Sequence, residues 1–181
     1  GPQTGADSGT TPRDDWPCER YDGGRDDALD DYVFEKRVPT PGEQGVTNKR
    51  IDLYKRGSFV LEAKQTGKTL DSSGWDKAML KAHNQADQYA RALPAEEGRP
   101  PFILVVDVGR NIELYAEFSR SGATYTPYPD SRSHRIRLED LRKEEVRERL
   151  SAVWLDPLSL DPARRSAKVT REIADQLAKL A

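Results

Sequence analysis

Five consecutive apolar residues, Phe102-Ile103-Leu104-Val105-Val106, constrain this chain more than any other feature. A strand presents alternate residues to opposite faces, so a run apolar at every position needs cover on both sides. Phe59-Val60-Leu61 has the same character, which suits the interior of a sheet. Between the two runs, Ala78, Met79, Ala82, Ala86, Tyr89 and Leu93 form a helical stripe over about Trp75 to Leu93, closed by Pro94 and Gly98. Strand, long helix and buried strand in succession predict an α/β fold, with a central mixed sheet flanked by helices.

Other elements follow from local pattern. Leu29, Tyr32 and Val33 recur at helical spacing, predicting a first helix over about Asp26 to Lys36, stopped by Pro39. Pro39 to Asn48 reads as a Pro- and Gly-rich loop. Strands are expected at about Lys49–Lys55 and Ser58–Gln65, joined by a turn at Arg56-Gly57. In the first of these, Ile51 and Leu53 share one face, and Asp52 and Tyr54 the other. A Gly109-Arg110 turn leads to a strand at Ile112–Phe118, and Thr124–Tyr128 with His134–Leu138 fit a small hairpin. Helices are expected over about Leu138–Val153 and from Asp161 onward, where an N-cap acid precedes Pro162.

The chain of 181 residues has room for one domain plus appendages, and its 35% hydrophobic share is low for a fully packed globule. Residues 1–31 hold nine acids and three bases, a sum of −6; the remainder, with 22 acids and 26 bases, sums to +4. A mildly basic body behind an acidic leader is compatible with nucleic acid, and equally with ordinary solvated faces. No apolar run approaches the roughly 18–20 residues that span a bilayer, so no membrane partner is expected. The single cysteine, Cys18, excludes an internal disulfide and suits the cytoplasm. Residues 1–25, opening on a Gly1-Pro2 pair like a protease scar, read as a disordered leader. Residues 26–137 read as the functional domain, and 138–181 as a helical connector. The last helix keeps its stripe (Val169, Ile173, Leu177, Leu180) without a stop signal, the pattern of a chain continuing into something longer.

Chemistry concentrates where the two early strands meet. Glu62 and Lys64 are two apart and leave one face of their strand, toward which Asp52 can converge across the turn. Two carboxylates aimed at one point repel, and a hard divalent cation such as Mg²⁺, or Mn²⁺ in its place, relieves this. The Ala63 carbonyl can supply another ligand, and Lys64 can orient a water and offset phosphate charge. The alternative is a surface ion pair between Glu62 and Lys64, of little consequence for stability. Gln85 and Tyr89, four apart, share one helix face; Tyr89 fits the core stripe equally well. Glu35 can reach a cation through water or stand as a solvated helix acid. His83 and His134 lack zinc-ligand spacing, and His83 reads as a helix-surface residue. Lys64, Lys68, Lys77, Lys81 and Arg50 fit phosphate contacts or a plain exposed face.

The segments Phe34-Glu-Lys-Arg-Val38, Arg50-Ile-Asp-Leu53, Val60-Leu-Glu-Ala-Lys-Gln65, Gln85-Ala-Asp-Gln-Tyr89 and Phe102-Ile-Leu-Val-Val-Asp107 together resemble the N-terminal nuclease region of MmeI-like (type IIL and IIG) restriction-modification enzymes. In these a PD-(D/E)xK domain precedes an adenine-specific DNA methyltransferase. The likeness covers about residues 27–181. It implies a restriction-endonuclease-like core, with Asp52 and Glu62 as metal-binding acids, Lys64 as catalytic lysine and Gln85 and Tyr89 as the helix motif, which recurs in RecB-like nucleases. Ile51 stands where the name has proline. The methyltransferase's Gly-rich loop and Asn-Pro-Pro-Tyr-like element are absent from these 181 residues.

The expected function is a Mg²⁺-dependent endonuclease acting on double-stranded DNA, leaving 5′-phosphate ends, within a restriction-modification or phage-defence protein. Methyltransferase and target-recognition domains are its expected partners in the intact chain, and a homodimer would serve double-strand cleavage. The alternatives are a non-catalytic docking module on the same fold and a RecB-like repair nuclease.

Overall fold

The two apolar runs belong to neighbouring strands that divide their side chains between two cores. In the computed structural model, which describes residues 32–42 and 45–180, β1 (Tyr32–Gly42) and β2 (Gly45–Lys55) form a long antiparallel hairpin. A turn leads to β3 (Phe59–Lys64), antiparallel to β2. Gly57 there has φ +69°, a left-handed conformation that glycine adopts without strain. Helix α1 (Ser73–Ala92) then crosses over to β4 (Phe102–Asp107), parallel to β3. Its N-cap is the Ser72 side chain, which accepts from the Trp75 N–H at 3.2 Å. β5 (Asn111–Ala116) returns antiparallel, and β6 (Thr126–Pro127) and β7 (Arg135–Arg137) both pair with it. The seven strands run β1-β2-β3-β4-β5-β6, with β7 beside β6 on β5. Helices α2 (Glu144–Leu155) and α3 (Pro162–Leu180) follow.

Val60, Ile103 and Val105 face α1, where they pack with Trp75, Met79, Ala82, Ala86, Tyr89 and Leu93. Phe59, Phe102 and Leu104 face the other side and pack with Val146 and Val153 of α2, and with Leu160. The sheet is therefore covered on both faces, as its doubly apolar strands require. Residues 144–160 join this second core, whereas α3 is exposed along its length, apolar stripe included. This is an α/β fold of the restriction-endonuclease-like kind. Among the described residues no helix is long and apolar enough to cross a membrane.

Three expectations are corrected. The first helix, where it overlaps the described residues, is strand β1, and residues 26–31 lie outside them. Tyr32-Val33-Phe34 are strand formers, and pairing with β2 and the Tyr32–Trp154 ring contact at 5.6 Å outweigh their helical spacing. The expected loop at 39–48 is largely paired strand, with Pro39 opposite Asn48 and Pro41 opposite Val46. β1 is an edge strand, where a proline's missing N–H removes no ladder bond when it faces the open side. Finally, residues 124–128 and 134–138 pair with β5 instead of with each other.

Candidate active site

The β2–β3 ladder ends one step early, and the site begins there. Its last pairs are Lys55–Phe59, Tyr54–Val60 and Leu53–Leu61. Continuing the register would give the Ala63 N–H to the Ile51 carbonyl. Instead it donates to the Asp52 carboxylate at 2.7 Å. On the other side of β2 the pairing skips Glu35–Asp52, and Glu35 has φ +49°. This break changes the alternation. Ile51 turns into the α1-side core with Tyr54, while Leu53 joins the opposite core, so the expected Ile51–Leu53 face does not exist.

In a strand, the N–H and C=O of one residue leave along the same edge. The Ala63 carbonyl therefore faces the β2 side, beyond the end of the ladder. Glu62 and Lys64 point to the α1 face, and their side chains are hydrogen-bonded to each other. Glu62 is only 1% exposed, which excludes a surface ion pair. Its Oε1 also accepts from Gln85 Nε2 at 2.7 Å, and the same amide donates to the Tyr89 hydroxyl at 2.7 Å. Oε2 of Glu62 is buried with no hydrogen-bond partner. Burial pushes the Glu62 carboxyl above the usual carboxylate range; Lys64 opposes this and the charge of Asp52 adds to it. Burial likewise raises the Tyr89 phenol. Both hydrogen bonding and core packing thus hold Tyr89, which sits 3% exposed in the α1-side cluster.

Glu35 stands apart from this set. It lies on a strand and not at a helix end, is exposed, and pairs with Arg50 at 2.8 Å. Among the described residues no three His, Cys, Asp or Glu side chains stand close enough together to hold a metal ion. The groups here that could ligate a cation are Asp52, Glu62 and the Ala63 carbonyl, a set small enough to suit only a hard ion that keeps several waters. The orphaned Glu62 Oε2, with the Asp52 charge close enough to raise the Glu62 carboxyl, fits such an ion. His83, expected on the helix surface, is half-buried: its ring lies 4.1 Å from that of Tyr115, and its Nε2 is buried.

Asp107 is not among the residues expected from the sequence. It faces Lys64 across the β3–β4 pairing and is 1% exposed. Its carboxylate accepts from Thr66 N at 3.0 Å, Thr66 Oγ1 at 2.8 Å and the Trp75 indole at 2.9 Å. It thereby fastens the end of β3 to the start of α1, the two elements that carry Lys64 and Gln85. An acid closing a five-residue apolar run was the available signal.

No curated protein and no solved structure matches the chain. Among protein families, that described as MmeI, N-terminal domain, matches residues 18–181. The match includes every element of the site, and the chain belongs to the MmeI N-terminal domain family, a restriction-modification lineage.

Proposed function

We propose that this chain is a divalent-cation-dependent DNA endonuclease domain of the PD-(D/E)xK type. The observation that carries the reading is the buried Glu62 carboxylate, one oxygen committed to Lys64 and Gln85 and the other unpartnered, beside Asp52 held by the Ala63 N–H. A buried carboxylate oxygen without a protein partner calls for a water or an ion. Mg²⁺, or Mn²⁺ in its place, would be held by Asp52, Glu62 and the Ala63 carbonyl, where it would supply positive charge for the phosphate and acidify water. Lys64, about one-third exposed, can leave Glu62 to orient the attacking water and offset phosphate charge. Water adds to phosphorus, the bond to the 3′ oxygen breaks, and the products are a 5′-phosphate and a 3′-hydroxyl. Gln85 keeps Glu62 aimed while Tyr89 backs Gln85. Asp107 keeps the strand and helix in register. Family membership supports DNA as the substrate and methyltransferase and target-recognition domains as partners in the intact, cytoplasmic protein. One site cuts one strand, so double-strand breaks require two copies.

The purified chain with Mg²⁺ or Mn²⁺ should nick supercoiled DNA, and Lys64→Ala should abolish nicking while leaving the fold intact. Equal nicking by that variant would sink the assignment. A second reading, a non-catalytic DNA or protein docking module, draws on the Glu62–Lys64 bond, which neutralises the acid without a cation. It predicts binding indifferent to Mg²⁺ and unaffected by Glu62→Ala.

A further inference from the structure

Most arginines that flank the sheet and α1 are neutralised. Arg50, Arg91, Arg110, Arg135 and Arg137 each hold a carboxylate. Three lysines around one groove differ. Lys49 on β2, and Lys77 and Lys81 on α1, are exposed and have no ion-pair partner among the described residues. With Asn84 and Gln88 they line an open groove of about 350 Å³ in which no acid stands among the described residues. Residues 77, 81, 84 and 88 recur at the spacing of one helix face. That face runs about 16 Å at 1.5 Å per residue. The groove also opens on Gln85, one turn beyond Lys81, whose amide lies on Glu62. The cationic track and the carboxylate site are therefore continuous.

We propose that this face of α1, with Lys49 across the groove, binds the sugar-phosphate backbone of duplex DNA and leads a strand to Glu62. The inference rests on the nuclease reading above and names the residues that hold the substrate. Uncompensated lysines are suited to phosphates, and exposed amides donate to phosphate oxygens. Among the described residues no aromatic side chain lines the groove, whereas single-strand binders stack bases on aromatic platforms. Among the described residues no arginine lines it, and the exposed, uncompensated charge of its lysines assigns them to phosphates. Binding through this charge is to the duplex backbone and independent of sequence, which duplexes of unrelated sequence test. Leu80, 59% exposed between the lysines, covers sugar surface without adding charge.

The test is anisotropy of labelled duplexes with the 181-residue chain, in chelator so that no cleavage occurs, across a salt series. The variant Lys49→Ala/Lys77→Ala/Lys81→Ala should lower the slope of log affinity against log salt by about 3, one unit for each phosphate that is no longer neutralised. The loss of affinity should be equal for duplexes of unrelated sequence. Arg164→Ala/Lys168→Ala/Arg171→Ala on α3 makes the same change in net charge and should keep the wild-type slope. The proposal is overturned by an unchanged slope in the first variant, an equal decrease in the second, no duplex binding by the wild type, or single strands bound more tightly than duplex. Nicking, assayed separately with Mg²⁺, distinguishes the two readings. A wild type that binds through these lysines but never nicks defeats the nuclease reading alone. A triple variant that binds and nicks like the wild type defeats the track alone.

Discussion

Gln85 Nε2 lies 2.7 Å from Glu62 Oε1, so a side chain of helix α1 determines how an acid on β3 is aimed. Lys64 bonds the same oxygen. One carboxylate oxygen is thus taken up by the protein, and the other is buried with no hydrogen-bond partner. Because the amide also donates to Tyr89, one turn along the helix, it cannot swing away without losing both bonds.

Gln85→Ala should therefore act on the acid and not on the fold. Groups that orient a metal ligand are typically worth about 10–100-fold in metal affinity or activity. We expect the Mn²⁺ concentration for half-maximal nicking to rise within that range, with the melting temperature little changed. An unaltered Mn²⁺ titration would show that Gln85 does not position Glu62.

The strand and helix of the candidate site were legible because each obeys a simple period. Glu62 and Lys64 follow an apolar run by strand alternation, and Gln85 and Tyr89 share a helix face that also carries core residues. What stayed hidden depends on distant pairing. Whether Tyr32–Phe34 forms helix or strand is decided by β2, and whether Pro39 ends an element is decided by its position on a sheet edge. Ile51 faces Tyr54's core only because Asp52 takes the N–H that would have gone to the Ile51 carbonyl. Glu35, expected at a helix end, lies on strand β1 and is drawn to Arg50. Periodicity carries none of these long-range choices.

The raised Glu62 carboxyl has a stability consequence in the absence of metal. In the folded chain it keeps its proton to higher pH than in the unfolded chain. Over that window the unfolded state binds fewer protons, so stability falls as pH rises from the ordinary glutamate range through the folded value. Glu62→Gln removes this fall. Chemical denaturation of both proteins across mildly acidic to neutral pH should show the variant gaining on the wild type as pH increases. Parallel profiles would mean that Glu62 titrates normally.

Asp107 should behave in the opposite sense. Burial alone would raise it, but hydrogen bonds from Thr66 and Trp75 hold it below the usual aspartate value. Its contribution is present above the unfolded aspartate pKa and is lost as pH falls through the lower, folded one. Asp107→Asn keeps the shape but turns an NH₂ group toward a donor, either the Thr66 N–H or the Trp75 indole. Leaving one buried donor unpaired costs about 1–3 kcal/mol. For a domain of this size each kcal/mol lowers the melting temperature by about 2–4 °C. A decrease no larger than that of an exposed control such as Asp175→Asn would remove Asp107 from the framework of the site.

Cation binding itself can be separated from cleavage by its effect on unfolding. A ligand that binds only the folded state at 100 times its dissociation constant adds about 2.7 kcal/mol, or about 5–10 °C for a chain of this length. Mg²⁺ or Mn²⁺ should raise the melting temperature of the wild type by an amount that grows with concentration. Asp52→Asn and Glu62→Gln should each lose that response, because either change removes one of the two carboxylates flanking the Ala63 backbone. Glu35→Gln should keep it, since that carboxylate is exposed and committed to Arg50. Lys64→Ala should keep or strengthen it, for the ammonium competes with the cation for Glu62. This pattern separates a metal site from general screening, which would treat the three acid variants alike. A thermal shift that survives in Glu62→Gln would place any bound cation elsewhere on the chain.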